Sequence, residues 1–161
     1  MTFASRASAL FVLAAAVAPL AAAPASADDI LRTATVKGSF ADARGFLQDA
    51  IVNQGLKIDY NGKIGDMLKR TGADVGSAKE IYADAEYFTF CSSKLSRSMM
   101  EADPLNVGMC PYMMFVYEPA GKSGAVTIGY RATAMRGNDA SKAALAEINA
   151  LLDKILKDAS Q

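Results

Sequence analysis

Phe90-Cys91-Ser92-Ser93-Lys94-Leu95-Ser96-Arg97-Ser98-Met99-Met100-Glu101-Ala102-Asp103-Pro104-Leu105-Asn106-Val107-Gly108-Met109-Cys110-Pro111-Tyr112 is the stretch whose reading decides the fold. On its upstream side Ala85-Glu86-Tyr87-Phe88-Thr89-Phe90-Cys91 is rich in aromatics and reads as a strand. On its downstream side Pro111-Tyr112-Met113-Met114-Phe115-Val116-Tyr117-Glu118 reads as another. Between them Ser92 or Ser93 can cap a helix that runs to about Ala102, where Asp103-Pro104 stops it. If the flanking strands are antiparallel neighbours, Cys91 and Cys110 lie at the same end of a sheet. A parallel crossover would set them a strand length apart, roughly 20 Å, far beyond the ~7 Å Cα separation that a disulfide spans. A bond between the two cysteines therefore predicts antiparallel strands.

Whether such a bond is expected depends on the compartment, and the amino terminus supplies that. Arg6 precedes the apolar run Ala9–Ala18, which is followed by Pro19 and a small-residue tract ending Ala25-Ser26-Ala27. This pattern reads as a secretory signal peptide over residues 1–27, with cleavage before Asp28. The run is broken well short of the ~20 apolar residues that cross a bilayer, so a periplasmic or secreted product with no membrane span is expected. Two cysteines in an exported chain read first as a disulfide. A ring closed by Cys91 and Cys110 is of a length for which chain entropy predicts ~3 kcal/mol of stabilisation.

Removing residues 1–27 from the 161 leaves 134, the size of a single domain with its own core. Loss of Arg6 leaves 16 basic residues against 17 acidic ones. So balanced a chain lacks the basic excess of a nucleic-acid binder. Histidine is absent altogether. Its absence removes Ser-His-Asp and Cys-His catalysis, imidazole zinc sites, the facial triad of non-haem iron and the Cys-x-x-Cys-His haem attachment.

The remaining elements follow from spacing. Asp28–Lys37 reads as a first strand broken by Gly38, and Ser39 caps a helix whose Phe40, Ala43, Phe46, Leu47, Ala50 and Ile51 recur at helical intervals up to Gly55. Leu56–Tyr60 alternates as a second strand closed by an Asn61-Gly62 turn. Ile64–Gly72 is a short helix, and Ser77 can cap one more helical turn through Tyr82. After the fourth strand, Pro119–Gly124 is turn chemistry leading to a fifth, Ala125–Arg131, as a hairpin. With Ser141 as its N-cap, a final helix carries Leu145, Ile148, Leu151, Leu152, Ile155 and Leu156 as one apolar stripe. The order β-α-β4-α, with short helices inserted around the third strand, defines an α+β domain.

Several of these residues resemble the bacterial family called domain of unknown function 302. The likeness is carried by Ile64–Gly72, by Phe90-Cys91-Ser92 with Leu95-Ser96-Arg97 and Met99–Pro104, by Cys110-Pro111-Tyr112 and by Val116-Tyr117-Glu118. It implies a curved antiparallel sheet of about five strands gripped by helices, similar to the TATA-binding protein, and homodimers. It implies no activity and no catalytic residues.

Three constellations compete for function. Met99, Met100, Met109 and Met113, with Met114, Cys91 and Cys110, are soft ligands of the kind that suits copper(I), or haem held by Cys, Met or Tyr; filling an irregular core is the plainer role of methionine. Cys91 just before a helix suits thiol–disulfide exchange, yet its partner is far from the Cys-x-x-Cys spacing. Arg97, Glu101, Asp103, Asn106 and Tyr112 are candidate polar ligands or acid/base groups, although Arg97 and Glu101 already make an ordinary i,i+4 pair. The reading that follows is an exported, disulfide-stabilised domain that binds a small ligand or a periplasmic protein without catalysis, requiring no cofactor. The alternative is a periplasmic redox or metal protein built on the methionine and cysteine cluster, and a carboxylate hydrolase is a third.

Overall fold

The computed structural model describes residues 30–77 and 79–161. The expected leader, its cleavage point and the first residues of the expected first strand lie outside them. Strand β1 (Leu31–Lys37) is followed by α1 (Phe40–Asn53), β2 (Ile58–Gly62), α2 (Ile64–Thr71), β3 (Tyr82–Phe90), α3 (Ser93–Ala102), a 3-10 helix (Pro104–Met109), β4 (Tyr112–Pro119), β5 (Ala125–Arg131) and α4 (Asp139–Ala159). The strands form one sheet in the order β1-β5-β4-β3-β2, antiparallel at every step. This is the α+β architecture expected, with Cys91 and Cys110 at one end of the β3–β4 pair and bonded.

Local chemistry accounts for most boundaries. Ser39 accepts from the Asp42 amide and starts α1. Gly55 sits at φ 72° just past its end, a conformation glycine adopts without steric cost. Ser92 caps α3 through the Leu95 amide, and Asp103 caps the 3-10 helix through the Leu105 amide. In the β4–β5 turn Gly121 and Gly124 both take positive φ.

Three expectations are corrected. Asn61-Gly62 is not a turn but the end of β2: Asn61 lies opposite Phe88 and Gly62 opposite Tyr87. The glycine is there because a Cβ would collide with the Tyr87 ring. The helical turn after Ser77 does not form in the described residues, where 79–81 are irregular and Tyr82 is already paired with Pro119. The last helix starts earlier than expected, because Asn138 rather than Ser141 is the cap; it accepts from the Ser141 amide, and the Ser141 hydroxyl is buried.

Strand alternation divides the sheet into two faces. One row across it runs Asn61, Phe88, Met114, Tyr130, Arg32. With Phe90, Tyr112, Val116, Val126 and Ile128, its apolar members meet Leu47 and Ile51 of α1, Met99 of α3, and Leu145, Ile148, Leu152 and Ile155 of α4 in one core. The neighbouring row runs Gly62, Tyr87, Phe115, Gly129, Thr33 and points the other way. Among the described residues only the short helix α2 rises on that side, its Gly65 lying so close to Ala85 that a Cβ would meet the Ala85 backbone nitrogen at 2.9 Å.

Candidate functional site

The structure places the sequence-predicted residues in two groups and scatters the rest. Around the disulfide, whose Cα atoms are 6.3 Å apart, the Ser96 hydroxyl stands 3.8 Å from Cys110 Sγ and 3.1 Å from the Tyr112 hydroxyl. Tyr112 packs edge-on to Phe90, with ring centres 6.0 Å apart. Burial raises the Tyr112 phenol above its ordinary pKa of 10.0, against the smaller opposing effect of the Ser96 hydrogen bond. With each sulfur bonded to the other, neither cysteine has a thiolate to offer a metal or haem.

The second group is a polar clasp over the 3-10 helix. Arg136 Nη1 donates to Asp103 Oδ2 at 2.9 Å and to Asn106 Oδ1 at 2.7 Å. Asn106, fully buried, donates from Nδ2 to the Met99 carbonyl and to Ser141 Oγ, both at 2.8 Å. Every polar atom of the Asn106 side chain is thus bonded within the protein. Arg136 and Ser141 were not legible as its partners, because they arrive from the far side of β5 in the chain.

The methionines divide between the two faces of the sheet. Met99 is wholly buried in the core, while Met100 and Met109 pack against that core half-exposed. Met113 lies opposite Thr89 on the other face of the sheet from Tyr112 and Met114. Arg97 is largely exposed and pairs with Glu101 at 3.1 Å, four residues on. Among the described residues no three cysteine, aspartate or glutamate side chains come together in a way that could hold a metal ion.

A feature that sequence reasoning passed over is the sheet face away from the core. Four of the six tyrosines belong to it: Tyr60, Tyr82, Tyr87 and Tyr117, with Phe115 between them. Tyr60 and Tyr87 stand 6.0 Å apart, Tyr82 meets Tyr117 edge-on at 5.4 Å, and Phe115 stacks on Tyr117 at 6.3 Å. Glycine lies directly opposite the two central rings. Tyr87 lies over Gly62, and Phe115 reaches across Gly129, where a Cβ would sit 2.6 Å from its ring. The rings therefore lie low across the neighbouring strands and pave the sheet instead of standing off it. Beside them is an apolar depression of about 360 Å³, lined by Leu31, Thr33, Ile64, Tyr82, Phe115 and Tyr117. The signal that could have found this face is the outward alternation Met113-x-Phe115-x-Tyr117 beside Tyr87-x-Thr89, two strands whose polar-side positions are aromatic.

These features define a class: an α+β domain of β-α-β4-α order that covers one sheet face with helices and carries aromatic rings along β2, β3 and β4 on the other. The family model for DUF302, a domain of unknown function, matches residues 32–159, and the chain belongs to that family. It is similar to the crystal structure of an uncharacterised conserved DUF302 protein from Bacillus stearothermophilus. The TM-score is 0.67 and the identity 16%, over 81% of this chain and 98% of that one; at this identity the likeness speaks for the fold. Comparison with curated proteins gave no match. No described helix is long and apolar enough to cross a membrane.

Proposed function

We propose that the mature chain, residues 28–161, is an exported binding domain without catalytic activity, and that the aromatic sheet face is its contact surface. One observation carries this reading: four tyrosines and Phe115 lie on a face that the core does not use, two of the rings over glycines opposite them. Tyrosine gives large, rigid, amphipathic contact area at small entropic cost, which is why it recurs where proteins meet ligands. The disulfide and the clasp at Asn106 then serve to hold α3 and the 3-10 helix on the sheet. The binding reading is favoured over the copper or haem alternative because the candidate soft ligands are spread between the core, its margin and the opposite sheet face.

Export by the leader over residues 1–27 belongs to the proposal, and amino-terminal sequencing of periplasmic protein should begin at Asp28. So does the homodimer. The outer edge of β1, which among the described residues pairs only with β5, offers a route to it that leaves the tyrosine face open, and sedimentation should give twice the monomer mass.

Native mass spectrometry of protein taken from the periplasm tests the contact surface. A bound species that persists in Met99→Leu and Met100→Leu, both on the core side, but disappears in Tyr60→Ala with Tyr117→Ala is the expected result. Loss of that species in the methionine variants, with retention in the tyrosine variant, would move the site to the methionine cluster.

A further inference from the structure

The aromatic face also carries hydroxyls that the fold does not use. Tyr60, Tyr82, Tyr87 and Tyr117 have no protein hydrogen-bond partner among the described residues, whereas the two tyrosines on the helix side are bonded, Tyr112 to Ser96 and Tyr130 to Asp153. Thr33, Thr35, Thr89 and Thr127 share the open face by register and are equally free. No buried side-chain polar atom of the described residues lacks a partner, so these hydroxyls reach solvent.

Charge narrows what can cover them. Along β1 and β5 this face carries Lys37 and Arg131 at the strand ends, and α2 beside it brings Asp66, Lys69 and Arg70, with Lys69 paired to Glu80, while the paved row of Gly62, Tyr87, Phe115, Gly129 and Thr33 is neutral. An anionic chain or headgroup needs a cationic surface to replace its counterions. A purely apolar occupant would cover hydroxyls without bonding them, and each would cost its desolvation. The fitting ligand is uncharged, brings hydroxyls of its own, and offers flat apolar faces to the rings. A pyranose ring has this chemistry, with C–H faces above and below and a rim of hydroxyls.

We infer that this face binds a neutral saccharide chain, laid across the sheet along Gly62, Tyr87, Phe115, Gly129 and Thr33. The inference rests on the reading of the face as a contact surface. Five strands at about 4.8 Å give a track of ~19 Å, room for a few sugar rings. Tyr87 and Phe115 are the stacking floor. The tyrosine hydroxyls at its margins and the threonines of β1 and β5 set the orientation, as a few placed polar groups do in an otherwise apolar site.

The test is amide-shift titration of the protein purified from the periplasm with cellohexaose, maltohexaose and chitohexaose, and in parallel with hexagalacturonate and with octanol. Saturable shifts from at least one neutral hexasaccharide, confined to the face of β1 to β5 opposite the core, are expected. Tyr60→Ala, a change at an exposed ring that leaves the core intact, should weaken that binding about fivefold or more, and Tyr87→Phe, which keeps the ring, should weaken it less. Shifts from octanol with none from any saccharide would overturn the saccharide inference and leave the contact surface standing. Hexagalacturonate binding as tightly as the neutral chains would overturn the argument from charge. Saccharide shifts confined to α3 and the 3-10 helix would overturn both readings.

Discussion

The segment from Cys91 to Tyr112 and the open face of the sheet share strands β3 and β4, yet they treat their bonding capacity in opposite ways. In the segment, the sulfurs are joined, Ser96 and Tyr112 bond each other, and the Asn106 side chain is bonded at both its nitrogen and its oxygen. On the open face, tyrosine and threonine hydroxyls have no protein partner among the described residues, and the central rings lie over glycines. Internal bonding marks a part that holds the fold; bonding capacity left facing solvent marks a part that can meet something else. The residues most conspicuous as chemistry, the cysteines and methionines, fall in the first class.

The largest effect is expected at the disulfide. Replacing Cys91 and Cys110 together by serine should lower stability by ~3 kcal/mol, read as a shift in denaturant midpoint. Any binding at the open face should survive in the variant while it remains folded, and its loss there would erase the distinction between the two regions. Asn106→Ala should cost about 2 kcal/mol in a thermal melt, since it leaves the buried Ser141 hydroxyl without its partner and removes one of the two bonds made by Arg136 Nη1 and one of the two accepted by the Met99 carbonyl.

On the face itself, Gly62→Ala should cost about 1–2 kcal/mol, because the new methyl drives into the Tyr87 ring. The same change should weaken whatever binds there, and a neutral outcome in both assays would show that the ring is free to lift. A further effect appears only at high pH. Burial, then the Asp153 hydrogen bond and charge, raise the Tyr130 phenol well above 10.0, and burial raises that of Tyr112. Because the folded state disfavours their ionised forms, the stability they contribute is present in full below pH 10.0 and is lost as pH rises from there towards their folded values. Alkaline titration followed by absorbance should show two phenols ionising late, and Tyr112→Phe should remove one of them. The smallest change is Tyr60→Ala, at a ring 58% exposed, which should alter stability by less than ~0.5 kcal/mol.

The sequence was informative wherever the cause of a structure is local. Ser39 and Ser92 name their helices because a cap acts over three residues, and the α4 stripe is a repeat within one element. The antiparallel β3–β4 pair was reachable because a covalent bond limits the distance between two known positions. What stayed hidden depends on register. Asn61-Gly62 looks like a turn from its neighbours alone; only knowing that Tyr87 lies opposite reveals why glycine is needed in a strand. Asn138 and Ser141 are both capable caps, and the buried bond from Asn106 to Ser141 decides between them. The open face was missed for the same reason, since its aromatics come from β2, β3 and β4 and become a surface only once the strands are in order.

Tyrosine nitration compared between the protein in the periplasm of living cells and the purified protein tests the contact surface most directly. Tyr60, Tyr82, Tyr87 and Tyr117 should be protected several-fold in the cell and become reactive once the purified protein has been stripped of its bound species, while Tyr112 and Tyr130 stay protected in both. Equal reactivity of the four open-face tyrosines in the two settings would contradict it.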